Sequence, residues 1–129
     1  MIVVDTNILA YLYLPTEHTQ KVEALLAKDP DWIAPTLWRS ELRNILALYL
    51  RKNILTFDQA LAIQVEAEAL LQDNEYFVNS HDVLQLVQNS ECSAYDCEFV
   101  ALAQSMNLQM ITMDKKILKN FPETAIPLL

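Results

Sequence analysis

The stretch M-I-V-V-D-T-N, residues 1–7, decides how this chain is read. Met1–Val4 is an apolar run that Asp5 ends, the pattern of a strand buried on both faces. Asp5-Thr6-Asn7 then offers N-cap residue types for a short helix running to Leu14, where Pro15 stops it. A buried strand that passes directly into a helix, with an acid at the junction, sets the frame for the rest.

Working outward, the chain keeps alternating short apolar strands with helices. Thr16 to Ala27 reads as a helix and Trp32–Ala34 as a strand closed by Pro35. Thr36 to Lys52 reads as a long helix capped by Thr36, and another opens at Thr56 or Asp58 and runs to about Leu71. A strand follows over Asn74–Val78, then a helix from Ser80 or Asp82 to Gln88, then a helix from Ser93 to Met106. Ser93 and Asp96 have capping-box spacing, and Asn107 stands where a left-handed helix cap is expected. Gln109–Thr112 is a strand, Asp114–Leu118 a short helix and Ala125–Leu129 a last strand. This order predicts a three-layer α/β/α sandwich with a mainly parallel central sheet of four to five strands, in one domain over residues 1–129.

Composition removes several functions. Glycine is absent, which excludes the glycine-rich loops that cradle nucleotide phosphates and leaves turns to Asn, Asp and Pro. Cys92 and Cys97 have no nearby histidine and read as reduced, partly buried thiols. His18 and His81 lie far apart and read as surface or capping residues. No apolar run is long enough to span a membrane, and no basic segment precedes the first one as in a secretory signal, so the cytosol is the expected location. The net charge of −8 argues against general nucleic-acid binding. The charge is polarised, however: Arg39, Arg43, Arg51 and Lys52 form one basic group, Lys115, Lys116 and Lys119 another, and no Lys or Arg lies between Asn53 and Asp114.

Four acids carry the chemistry. In a parallel sheet, sites form beyond the carboxyl ends of the strands, where Asp5 and Asp114 fall. Glu41 shares a helix face with Trp38, Leu42, Ile45 and Tyr49, and Asp96 shares one with Phe99, Val100 and Ala103. A carboxylate on a core-facing stripe is costly unless compensated, and a hard divalent cation would compensate all four. Taken singly, each acid has a structural account: Asp5 and Asp114 as helix caps, Asp96 as half of a capping box, Glu41 as an ion-pair partner or stripe-edge residue. One metal site is more economical than four separate accounts.

V-V-D-T-N at 3–7, R-S-E-L-R-N at 39–44, S-A-Y-D-C-E-F-V-A-L-A at 93–103 and I-T-M-D at 111–114 follow in an order and spacing that resembles the PIN-domain family, most of all the compact VapC-type toxins of toxin–antitoxin pairs. The resemblance spans nearly the whole chain. It implies a divalent-metal ribonuclease, a homodimer and a cognate antitoxin. It places Asp5, Glu41, Asp96 and Asp114 on the four acidic positions, Asn7 on the polar position after the first acid, and Thr112 on the hydroxyl two before the last. Where many relatives carry a further acid, this chain has Lys115-Lys116-Ile117, and Asn107 stands where they use glycine.

The expected activity is therefore hydrolysis of RNA phosphodiesters with one or two Mg²⁺ or Mn²⁺ ions on the four carboxylates. Arg39 and Arg43, flanking Glu41, and Lys115 and Lys116, following Asp114, are candidates to hold substrate phosphates. Trp38 and Tyr49 read as core aromatics rather than base-stacking ones. The chain lacks the acidic pair of a response-regulator receiver, the D-x-D of a haloacid-dehalogenase phosphatase, and the opening hairpins of a ribonuclease-H-like nuclease. The competing reading is a binding module of weak or no catalysis on the same fold, whose acidic site captures an arginine-bearing partner peptide.

Overall fold

The structure, a computed structural model, describes all 129 residues. Its strands are β1 (Ile2–Val4), β2 (Trp32–Pro35), β3 (Glu75–Tyr76), β4 (Met110–Ile111) and β5 (Ala125–Ile126). They form one sheet of order β3-β2-β1-β4-β5, and every pairing is parallel. The run that opens the sequence is the central strand, buried at all of its positions. Val3 is paired with Ile33 on one side and Met110 on the other.

The helices are α1 (Thr6–Tyr13), α2 (Thr19–Lys28), α3 (Trp38–Arg51), α4 (Phe57–Leu70), α5 (Ser80–Gln88), α6 (Ala94–Ser105) and α7 (Lys115–Asn120). The chain winds outward from β1 through β2 to β3, then crosses back to β4 and on to β5. Parallel crossovers are right-handed, so α1 to α4 cover one face and α5 to α7 the other. On the first face α1 packs with α2 and α3, and α3 with α4; on the second, α6 lies on β1, β2 and β4 with α5 against it. The winding direction reverses between β1 and β4, which opens a crevice at that edge. Trp32, Trp38 and Phe99 are fully buried in the core, and Tyr49 packs against it.

Left-handed backbone occurs at Asn53, Asp73 and Asn107, with φ of 58°, 66° and 54°. Asn and Asp thus supply the turns that glycine usually does. Two helix starts differ from the expectation. The α2 helix begins at Thr19, because Thr19 Oγ1 takes the Thr16 amide at 2.9 Å and donates to the Tyr11 carbonyl at 2.8 Å, making Thr16–His18 a separate turn. The α3 helix has Leu37 at its cap position, without a side-chain bond. The amide of Thr36 instead donates to the Tyr76 carbonyl at 3.1 Å, which ties it to the strand side of the boundary.

Candidate active site

Asp5 follows β1 and caps α1: its Oδ1 accepts from the Thr6 amide at 2.8 Å. Its Oδ2 accepts from Thr112 Oγ1 at 2.6 Å. Thr112 follows β4 and is fully buried, so this bond straddles the crevice between the two strands. The same hydroxyl oxygen accepts from the Asp114 amide at 3.0 Å. Asp114 caps α7 by accepting from the Ile117 amide at 3.0 Å. Thr6 Oγ1 donates to Glu41 Oε1 at 2.7 Å, joining α1 to α3. The cap accounts of Asp5 and Asp114 are therefore correct as far as they go, but each cap uses only one carboxylate oxygen.

Asp96 comes from the opposite face of the sheet, on the first turn of α6, where its amide donates to Ser93 Oγ at 3.1 Å. It is half-buried, as is Glu41. The carboxyls of Asp5, Glu41 and Asp96 are each raised. Burial, more than anything else, raises the Asp5 carboxyl to about 6; the bonds from Thr112 and Thr6 oppose this, and the charges of Asp96 and Asp114 add to it. Glu41 is raised by burial, with further repulsion from Asp5, Asp96 and Glu98. Asp96 is raised by burial and by Asp114, and Lys116 counters in part. Acids from both layers thus share one electrostatic environment in which burial opposes ionisation.

This donor set is all oxygen, which suits a hard cation such as Mg²⁺ or Mn²⁺. Asn7 Oδ1, two residues beyond Asp5, is buried without a hydrogen-bond partner, an orphaned acceptor of the kind a cation or its water shell satisfies. No three Asp, Glu, His or Cys side chains stand close enough to form a ready-made metal group. By the chemistry and charge of their oxygen donors the four carboxylates suit a divalent ion.

The basic candidates divide. Arg39 donates through Nε to Glu75 Oε2 and through Nη2 to Glu75 Oε1, both at 2.6 Å, and through Nη1 to Glu68 Oε1 at 3.0 Å. Its guanidinium is consumed by a two-carboxylate clamp, and Trp38 Nε1 binds the same Glu75 at 2.9 Å. The sequence reading places substrate phosphate on Arg39; three of its five N–H donors instead bind Glu68 and Glu75. Arg43, Lys115 and Lys116 are exposed, and Lys116 lies within electrostatic reach of Asp96. Cys92 and Cys97 are buried free thiols, and burial pushes the Cys92 thiol up to about 11, which makes it a poor nucleophile. His18 packs against Tyr11 in a tilted arrangement, ring centres 4.7 Å apart.

Two participants were not singled out from the sequence. Thr6 was read only as a cap residue, although a hydroxyl beside Asp5 was signal enough to ask what else it binds. Glu98, two residues beyond Asp96 on α6, bears on Glu41 electrostatically.

The model of the PIN domain family matches residues 2–123. Ribonuclease VapC3 of Pyrobaculum aerophilum is 26% identical over 129 residues, covering 98% of each chain. Among solved structures, FitAcB from Neisseria gonorrhoeae superposes with a TM-score of 0.77 at 20% identity, over 98% of this chain and 96% of that one. A toxin–antitoxin complex from Klebsiella pneumoniae gives 0.63 at 18% identity, over 98% and 96%. With the family model spanning nearly every residue, and the fold and acid-lined crevice as described, the chain belongs to the PIN domain family.

Proposed function

We propose that this chain is a metal-dependent endoribonuclease whose site is Asp5, Glu41, Asp96 and Asp114, and that it is the toxin of a toxin–antitoxin pair. One observation supports the reading: Asp5, Glu41 and Asp96, from both layers of the sandwich, are raised by burial and by charges within the set, Asp114 adds to this at Asp5 and Asp96, and none of the four is ion-paired to Arg or Lys. Similarity to a ribonuclease named VapC3 supports the activity, and likeness to a solved toxin–antitoxin complex supports the pairing.

A Mg²⁺ or Mn²⁺ ion on these carboxylates would supply Lewis acidity and a water activated near neutral pH. The chain's own residues do the rest. Thr112 and Thr6 fix Asp5 through both of its oxygens, leaving little freedom in how it faces the crevice. Thr6 also holds Glu41 by one oxygen and leaves the other to face a ligand. Lys116, with Lys115 and Arg43, offers positive charge to the phosphate beside an otherwise repulsive site. The cognate antitoxin is proposed to close the acidic site with an arginine. A homodimer accords with the exposed apolar side chains Phe57, Leu61 and Val65 of α4. No helix is long and apolar enough to cross a membrane.

The test is cleavage of single-stranded RNA by the purified chain. Activity is expected to vanish in EDTA and return with Mn²⁺ or Mg²⁺, and Asp5→Asn or Asp96→Asn is expected to abolish it in a folded protein. Wild-type turnover by either variant overturns the assignment. The binding-module alternative requires no metal-rescued cleavage by the wild-type chain.

A further inference from the structure

Beside the acidic crevice lies a second depression of about 310 Å³, lined by Thr36, Phe77, Ser80, Val83, Leu84 and Glu98 among others. Its position follows from topology. Thr36 comes directly after β2 and Phe77 directly after β3, so both stand at the same carboxyl edge of the sheet as Asp5 and Asp114. Glu98, which lines the cavity, lies two residues beyond Asp96 on α6 and bears on Glu41 electrostatically, so cavity and acids share this helix.

The lining is unusual for a surface. Phe77 is 91% exposed, although it directly continues a strand, and Leu84 is 62% exposed. An aromatic ring offered to solvent next to a cleavage site is a platform for a base, because every base has a π-face. Glu98 is half-buried, and its carboxylate has neither a hydrogen-bond donor nor an ion-pair partner. Thr36 and Ser80 add hydroxyls that both donate and accept. A net charge of −8 gives this chain little to gain from phosphate contacts alone. Base contacts must then carry a large share of RNA recognition.

Resting on the ribonuclease reading above, we infer that this cavity is a nucleobase subsite for the RNA substrate, with Phe77 stacking the base and Glu98 selecting guanine. Guanine alone among the four bases presents two adjacent N–H donors, N1–H and the N2 amine, which match the two oxygens of one carboxylate. Cytosine and adenine pair their amine with a ring nitrogen acceptor, which a carboxylate repels. Uracil sets its single N–H between two carbonyls.

The four nucleoside 5′-monophosphates are titrated into the wild-type chain in EDTA, following the backbone amides of Phe77, Ser80 and Glu98 by NMR. Saturable shifts are expected with the guanine nucleotide at roughly tenfold lower concentration than with the others. Glu98→Gln brings guanine down to the level of the rest, and Phe77→Ala weakens all four alike, by roughly tenfold. Equal response to all four nucleotides, no response in these amides, or guanine preference retained in Glu98→Gln overturns the inference, as it would if the cavity served a protein partner instead. A parallel digest of random single-stranded RNA with Mn²⁺ keeps the two readings apart. Cleavage without a guanine preference removes the subsite alone; guanine binding without cleavage removes the nuclease reading alone.

Discussion

Thr112 donates to Asp5 Oδ2 at 2.6 Å, a contact between residues 107 apart in sequence. It couples the first acid to the strand that delivers the last one, since Thr112 also accepts from the Asp114 amide. Thr112→Val keeps the shape but deletes the donor and the acceptor. The expected loss of stability is about 1–3 kcal/mol, measured by urea unfolding. The bond favours ionised Asp5, so its removal should also move the acidic limb of the cleavage–pH profile to higher pH. A profile that stays in place would mean that Thr112 only fills space.

Asp5 gives a pH dependence opposite in sign to that of a salt-bridged carboxylate. Its carboxyl is raised from 3.8 to about 6 in the folded chain. Between those values the folded state holds a proton that the unfolded state has lost, so stability falls as pH rises through that window. Its contribution is fully present below 3.8 and gone above about 6. Two pH units correspond to about 3 kcal/mol. Metal-free wild type should therefore lose stability between pH 4 and 7 relative to Asp5→Asn, which lacks the titrating group. If the two proteins track each other in denaturant titrations across this range, the burial of Asp5 is not what opposes its ionisation.

Glu41→Gln separates function from stability. The amide oxygen can still accept from Thr6 Oγ1, while the charge that repels Asp5 and Asp96 is gone. The metal-free variant is expected to melt a few degrees higher than wild type. Its cleavage should drop by roughly 100-fold or more, since even an outer-shell partner of a metal ligand is worth 10–100-fold. Unchanged cleavage together with a lower melting temperature would make Glu41 a purely structural residue.

Arg39 and Lys116 should fail in different assays. Arg39→Gln breaks the clamp on Glu68 and Glu75 and is expected to lower stability by about 1–2 kcal/mol with little change in KM for RNA. Lys116→Ala should leave stability alone, raise KM, and flatten the salt dependence of RNA binding by roughly one counterion. The reverse pattern would return Arg39 to the substrate and leave Lys116 as a bystander.

Much of this was legible in the sequence because it is local. The Met1–Val4 run, the acid that ends it and the helix after it follow from neighbours a few residues away. Asn107 takes the left-handed conformation expected for it, because only a small polar side chain tolerates it at a helix end without glycine. What remained hidden depends on distant partners. Arg39 has the same local setting as Arg43, and only the return of the chain at Glu68 and Glu75 decides that one is clamped and the other exposed. Likewise the alternation around Tyr76 cannot tell whether Phe77 turns into the core or out to solvent. Thr36 reads as a cap, yet its amide is claimed by Tyr76, forty residues later.

The pairing of Val3 with Met110 has a consequence for synthesis. A growing polypeptide that has emerged from the ribosome as far as α6 already contains Asp5, Glu41 and Asp96, but its middle strand has a vacant flank where β4 belongs. Without Thr112, Asp5 keeps only its bond from the Thr6 amide, and without Asp114 the proposed acid set is short by one. A nuclease that destroyed RNA while still being translated would attack its own message. On the proposed nuclease reading, the order of the strands delays competence until nearly the whole domain has been made.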